Sequence, residues 1–384
     1  MKLLFSIYGY EKGGVATSFC SLAKELEKRG HEIRVILPGS RRDLNIGIAI
    51  PEKYVLGWTP SLKTPIPHLG RVWLLFNCLF RWKLYLSRIK LNFDYDCFVM
   101  FHGKDMIWRW YKNVPSVMWF QELASDSHCL GAKGGGFFSL DRLCRWSRKR
   151  AALGFSKYVA ITRMSGESLQ RYYSLPECPQ IINPLFDVDS IEQKAKEVQH
   201  EIVPLPVPQI GYVGRLSREK GVDRLIAAVI ALQREGFTFH TWIVGDGPER
   251  KDLERIVFES RIVNVHFLGA KENQYPYMSA WDLTILPSRE EGMGMVLWES
   301  IICGTPVMAT ATGGPIGALE DGKLGALVEN SEEGITDGLR NFLTGDLHCE
   351  PEGGLSSGSA EIRRLDSENR RRLADLFSSL SRKA

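Results

Sequence analysis

Two carboxylates with seven residues between them, Glu291 and Glu299, bracket the run Gly292-Met293-Gly294-Met295-Val296-Leu297-Trp298, a glycine-rich turn that passes into an apolar stretch of helical character. Such a turn leaves backbone N–H groups open at a helix N-terminus, where the partial positive charge of the helix favours an anion. Carboxylates accept hydrogen bonds from hydroxyls. Glu291, in the turn, is placed to reach sugar hydroxyls, and Glu299, about two helical turns on, falls on a helix face where it could grip a second diol such as a ribose. A polyhydroxyl ligand carrying phosphate, such as a sugar nucleotide, suits both. The same residues would also serve an ordinary helix opened by Glu290 and Glu291, so this stretch alone leaves two readings open.

The elements upstream must position these residues. Gln209-Ile210-Gly211-Tyr212-Val213-Gly214-Arg215 reads as a buried strand running into a turn, followed by Lys220-Gly221 and an amphipathic helix from Val222 to Leu232. Arg215 and Lys220 therefore stand at the carboxyl end of a strand, the edge of an open α/β sheet where ligands bind, as candidates to clamp a diphosphate; solvated loop charges are the alternative. A second unit runs from His240-Thr241-Trp242-Ile243-Val244 through Gly245-Asp246-Gly247-Pro248 into a helix from Glu249 to Val257. Further strands, Val265 to Leu268 before Gly269, Leu283 to Leu286 before Pro287-Ser288, and Pro306 to Thr310 before Gly313-Gly314, complete the pattern. Repeated strand, glycine turn and helix predict a parallel, doubly wound sheet.

The order of these motifs resembles the donor domain of a family 4, GT-B-fold retaining glycosyltransferase over residues from about 207 to 330. The resemblance rests on Gly214-Arg215 with Lys220-Gly221, Val244-Gly245-Asp246-Gly247-Pro248, Phe267-Leu268-Gly269, Pro287-Ser288, the Glu291 to Glu299 spacing, Gly304-Thr305-Pro306-Val307 and Gly313-Gly314. It implies two Rossmann-like, doubly wound parallel-sheet domains facing a central cleft. It implies too that Arg215 and Lys220 hold the donor diphosphate, that Glu291 and the amides of Gly292, Met293, Gly294 and Met295 hold the transferred sugar, and that Glu299 takes the ribose, with the base near Leu268 and Gly269. One departure is Pro315-Ile316-Gly317-Ala318, where the family commonly carries a glutamate. Retention in this family is held to need no protein nucleophile: the sugar leaves through an oxocarbenium-like, front-face departure in which the diphosphate helps deprotonate the acceptor.

The amino-terminal half fits the same resemblance. Lys2 to Tyr8 reads as a buried strand, followed by Gly13-Gly14 and an amphipathic helix from about Ala16 to Lys28; the resemblance places Gly13 and Gly14 in the cleft near the donor phosphates, whereas a tight strand-helix turn would need such glycines in any case. No Gly-x-Gly-x-x-Gly follows this strand, which argues against a nicotinamide enzyme. His102 ends the strand Cys97 to Phe101, and Gln121-Glu122 end the strand Ser116 to Phe120. Relatives often place a histidine near the donor sugar at the second position, and Gln121 keeps hydrogen bonding there without an acid or base; His102 is a further possible contact. No Asp-x-Asp pair ends a strand and no His/Cys cluster has ligand spacing, so neither a metal nor a cofactor is expected.

A chain of 384 residues is long enough for two cores. The expected domains are 1–190, on the acceptor side, and 208–348, which binds the nucleotide sugar, joined by a polar, proline-rich linker over 191–207 and followed by a tail over 349–384 read as a flexible Gly/Ser link to a short basic helix. Charge divides at the same place. Residues 1–190 carry 27 Lys/Arg against 16 Asp/Glu and the remainder 22 against 29, so the first domain holds +11 and the rest −7. Much of that excess lies in two aromatic-basic segments, 71–90 and 142–157, which could lie on an anionic membrane surface or supply core helices. Large apolar area beside the positive charge argues against nucleic acid.

Eight scattered cysteines and the lack of a targeting or spanning segment point to a cytoplasmic protein, peripheral on the inner face of the membrane. The expected activity is transfer of a sugar from a nucleotide sugar, UDP-linked, to a hydroxyl of a glycan or lipid-linked glycan of cell-surface polysaccharide or lipopolysaccharide type. The alternatives are a non-catalytic nucleotide-sugar-binding subunit and a GT-B epimerase or phosphorylase.

Overall fold

The computed structural model of the chain describes residues 1–7, 13–38, 50–59, 94–101, 114–121, 152–202 and 205–381. They fall into two compact units: unit 1 is Met1–Leu185 with Asn369–Ala384, and unit 2 is Phe186–Glu368.

In unit 1, seven strands are described: β1 (Lys2–Ile7), β2 (Glu32–Pro38), β3 (Val55–Thr59), β4 (Cys97–Phe101), β5 (Ser116–Phe120), β6 (Lys157–Ala160) and β7 (Gln180–Ile181). Their order is β3-β2-β1-β4-β5-β6-β7 with every pairing parallel. Parallel strands are covered on both faces, so they read as unbroken apolar runs rather than alternating ones; β4 and β5 are buried at every position. Helix α1 (Gly14–Lys28) carries the chain from β1 to β2 and buries Phe19, Leu22, Ala23 and Leu26. Helix α2 (Arg163–Tyr173) is opened by a capping box in which the Thr162 hydroxyl accepts from the Ser165 amide.

In unit 2, six strands, β8 (Gln209–Val213), β9 (His240–Val244), β10 (Val265–Gly269), β11 (Leu283–Leu286), β12 (Val307–Thr310) and β13 (Ala326–Val328), lie in the order β10-β9-β8-β11-β12-β13. All pairings are parallel. The order reverses between β8 and β11, the switch point at which an open sheet parts its loops and leaves a crevice at its carboxyl edge. After α3 (Val188–Ala195) come α4 (Val222–Arg234), α5 (Arg250–Glu259), the short α6 (Tyr275–Met278), α7 (Met295–Ile302), the short α8 (Gly313–Ala318) and α9 (Glu332–Thr344). One core packs Val222, Leu225, Ile226 and Val229 of α4 with Ile335 and Leu339 of α9 against Ile210, Tyr212, Ile243 and Ile285 of the sheet. A second joins Trp242 and Val244 to Tyr277, Met278 and Trp281, with Leu268 packed against it.

Two boundary expectations differ from the structure. The segment read as a linker over 191–207 begins inside α3, whose start is capped by the Asp187 carboxylate accepting from the Ser190 amide. The tail read as a flexible Gly/Ser link is helical from Leu355, and α10 runs without a break to Ser381. Packing within unit 2 overrides the low helix propensity of its first turns: a Cβ on Gly358 would come within 2.9 Å of the Ile301 side chain, so glycine lets the helix lie close there. Among the described residues, no helix is long and apolar enough to cross a membrane.

Candidate functional site

The loops leaving β8 and β11 meet at the switch point of unit 2. After β8 the chain turns through Gly214 to Arg215 and then makes a single 3-10 turn, Arg218–Lys220, closed by Gly221 in the left-handed region at φ 68°. A Cβ on Gly221 would stand 2.1 Å from the Pro287 carbonyl oxygen. The residue after Lys220 therefore has to be glycine on two counts, its backbone angle and its approach to the end of the β11 loop.

That approach brings the expected residues together. Lys220 Nζ donates to Glu291 Oε2 at 2.7 Å, both side chains being largely withdrawn from solvent. Ser288 Oγ donates to the same oxygen at 3.2 Å, and the Gly292 amide to Glu291 Oε1 at 3.2 Å. From the β12 side, the Gly314 amide donates to the Glu291 carbonyl at 3.2 Å, and a Cβ on Gly314 would lie 2.5 Å from the Gly292 carbonyl carbon. Arg215 is exposed, and its guanidinium makes no hydrogen bond or ion pair among the described residues. The turn after β8 thus carries one cation, Arg215, outside any direct pair and a second, Lys220, that is shared with Glu291.

Gly294 caps α7 in the left-handed region, and Met295 opens that helix. Met293, just before Gly294, is buried. Glu299, in the middle of α7, is buried as well. Burial pushes its carboxyl up to about 7, against the opposing pull of hydrogen bonds from Gln274 and Tyr275. The same burial, together with the Glu299 charge, raises the Tyr275 hydroxyl above its ordinary value and pushes the Cys303 thiol up to about 12. Leu268 is half-buried, and Gly269 follows it at φ 72°.

In unit 1, Gly13 and Gly14 are exposed at the start of α1. Gln121 is buried just beyond β5, its Nε2 donating to Ser18 Oγ of α1 at 3.2 Å. His102, Glu122, the segment 71–90 and residues 142–151 lie outside the described residues. Of the rest of 142–157, Ala152 and Phe155 belong to the core and Leu153 is half exposed.

Two residues that belong to none of the sequence motifs, Arg289 and Asp223, join the two loops. Arg289 donates from Nη1 to Asp223 Oδ1 at 2.7 Å and from Nη2 to Asp223 Oδ2 at 2.6 Å. Its Nη1 also reaches the Arg218 carbonyl at 2.8 Å, and its amide the Glu219 carbonyl at 2.8 Å. Burial works to raise the Asp223 carboxyl, yet the bonds and charge of Arg289 carry it below its ordinary value. Arg224, buried behind them, donates to the Pro287 carbonyl at 2.6 Å and to Asn330 Oδ1 at 3.0 Å. The available signal was an arginine between Ser288 and Glu291, but single charges in loops are most often solvated.

Comparison with known proteins gives the family and the fold. The model of "Glycosyltransferase Family 4" matches residues 12–190, and that of "Glycosyl transferases group 1" matches residues 207–345. The alpha-D-kanosaminyltransferase of Streptomyces kanamyceticus is 27% identical over 197 residues, which are 49% of this chain and 51% of that protein. The GDP-mannose-dependent alpha-(1-6)-phosphatidylinositol dimannoside mannosyltransferase of Mycobacterium tuberculosis is 24% identical over 355 residues, 88% of this chain and 86% of the relative. The chain thus spans about half the length of the first relative and most of the second. Among solved structures, Anabaena Alr3699/HepE in complex with UDP and glucose superposes with a TM-score of 0.71 at 19% identity, over 99% of this chain and 100% of that one. Two family models, one on either side of residues 191–206, and a shared backbone along nearly the whole length lead to one conclusion: the chain belongs to the family 4 glycosyltransferases and has their GT-B fold.

Proposed function

We propose that the chain is a retaining glycosyltransferase that moves a sugar from a UDP-linked donor to a hydroxyl of a glycan or lipid-linked glycan, of cell-surface polysaccharide or lipopolysaccharide type, at the cytoplasmic face of a membrane and with no metal. One observation carries the reading: Lys220 and Glu291, from two loops 71 residues apart, form a 2.7 Å pair at the switch point of the unit 2 sheet. A cation for a diphosphate and a carboxylate for sugar hydroxyls stand where an open sheet binds its ligand. UDP in the Anabaena neighbour supports the choice of base, and the mannosyltransferase relative, named for a lipid-linked sugar acceptor, supports the acceptor class.

In this reading the anomeric C1–O bond of the donor breaks and its electron pair passes to the diphosphate. Arg215 and Lys220 neutralise the charge that grows there. The acceptor oxygen bonds to C1 on the face the diphosphate leaves, and its proton passes to the departing diphosphate. Glu291 holds the sugar hydroxyls, and Glu299 the ribose. Preorganised charge stabilisers are worth about 3–4 kcal/mol each where they have been removed from other active sites. Arg215→Ala and Lys220→Ala should each lower turnover by about 10²-fold or more while the chain stays folded.

Calorimetry with UDP, GDP and ADP, followed by incubation with the matching sugar nucleotides in the presence and absence of EDTA, tests the proposal. Tight binding of UDP, lost in Arg215→Ala and joined by EDTA-insensitive release of diphosphate, is the expected result; near-normal turnover in both variants would remove the assigned roles. A nucleotide-sugar-binding subunit without turnover is the second reading. Gln121 favours it, because its amide is committed to Ser18. Binding that never leads to diphosphate release with any acceptor would select it.

A further inference from the structure

The Lys220–Glu291 pair depends on two loops arriving at one place, and a lysine on a four-carbon stem cannot by itself fix where its loop lies. We infer that Arg289 and Asp223 are positioning residues that hold Lys220 and Glu291 in register. The inference rests on the donor-site reading above and goes beyond it. Asp223 stands in the first turn of α4, three residues after Lys220, and Arg289 stands two residues before Glu291. Their two-pronged bond joins the loops a few residues from the pair on both sides. The same guanidinium reaches the Arg218 carbonyl, and the Arg289 amide reaches the Glu219 carbonyl, so the 3-10 turn that presents Lys220 is gripped along its length.

A planar fork that satisfies both carboxylate oxygens fixes direction as well as distance, which a single ammonium contact does not. With its charge matched by Asp223, Arg289 acts on the donor through Lys220 and Glu291. A shift of about 1 Å in either loop would move a charge stabiliser off the departing diphosphate and cost roughly 10²-fold in rate.

A matched control exists on the same helix. Arg340 of α9 donates from Nε and Nη2 to both oxygens of Glu235, at 3.0 and 2.9 Å, and Glu235 caps the carboxyl end of α4 as Asp223 stands in its first turn. The test compares Arg289→Gln, Asp223→Asn, their double variant, Arg289→Lys and Arg340→Ala by kcat and KM for UDP-sugar turnover, UDP affinity and Tm. Arg289→Gln and Asp223→Asn are each expected to lower kcat by about 10- to 100-fold with a smaller change in UDP affinity. The double variant should be no worse than either single one, because the two residues act as one unit. Arg289→Lys should recover part of the loss, and Arg340→Ala should lower Tm with kcat unchanged.

Three results overturn the inference: variants that lose only Tm, as Arg340→Ala does; losses that multiply in the double variant; or loss of UDP binding in Arg289→Gln alone, which would make Arg289 a direct ligand contact. A parent chain that neither binds nor turns over any nucleotide sugar would sink the donor-site reading and this inference with it. A parent that turns over normally beside variants that match Arg340→Ala would sink this inference alone.

Discussion

Glu299 is a carboxyl surrounded by protein, and burial carries it to about 7 even with Gln274 and Tyr275 donating to it. Its folded value stands above the unfolded one, so the folded chain binds the extra proton. The stability that this group contributes is fully present below the ordinary carboxylate range and is lost as pH rises through about 7. A shift of this size corresponds to about 3 kcal/mol. Thermal unfolding at pH 6 and pH 8 should therefore show the parent losing stability at the higher pH, and Glu299→Gln should lose much less. An equal loss in both proteins would mean that Glu299 titrates elsewhere. Burial of this kind cannot be read from spacing: the interval between Glu291 and Glu299 is visible in the chain, but the closure of protein around one of the two is not.

The elements that carry the site were largely legible. The strand before Arg215, the strand before Ser288 and the helix after Gly221 appear as β8, β11 and α4, because apolar runs bounded by glycine leave few alternatives. What stayed hidden depends on distance in the chain. The Arg289–Asp223 pair spans 66 positions and exists only because the sheet order reverses between β8 and β11. The capture of Gln121 by Ser18 spans 103. The first turns of α10 look like a flexible link in the sequence because composition reports local preference, while neighbours such as Ile301 decide the outcome. A test at this scale is Gly221→Ala, which meets a carbonyl oxygen at 2.1 Å and forces a left-handed angle on a residue with a Cβ. The angle alone costs about 1–2 kcal/mol. The variant should melt at a lower temperature and lose turnover beyond what its folded fraction explains. A lower Tm with turnover per folded molecule unchanged would show that the Lys220 loop tolerates the shift.

At the scale of the molecule, the chain leaves unit 1 at Leu185 and returns to it at Asn369. The returning half of α10 takes part in the core of unit 1. Leu373, Leu376, Phe377 and Leu380 are each at most 2% exposed; Phe377 packs on His31, Asn369 bonds to Asn183, and Arg370 pairs with Glu25. Four such side chains are worth about 1.5–3 kcal/mol each when fully buried, a large share of the roughly 5–15 kcal/mol that holds a domain together. Deleting residues 369–384 should therefore destabilise unit 1 and leave unit 2 close to its parent stability. Limited proteolysis with mass spectrometry would locate the first cuts, and cuts confined to unit 2 would refute the expectation.

The same return sets a timetable for synthesis. A ribosome emits the chain from the amino terminus at about 5–20 residues per second, so the first 185 residues emerge well before the stretch that completes their core. Every residue of unit 2 is translated in between. The unit begun first is thus the unit finished last, and during that interval the surface awaiting Leu373 and Phe377 is open to chaperones and to other nascent chains.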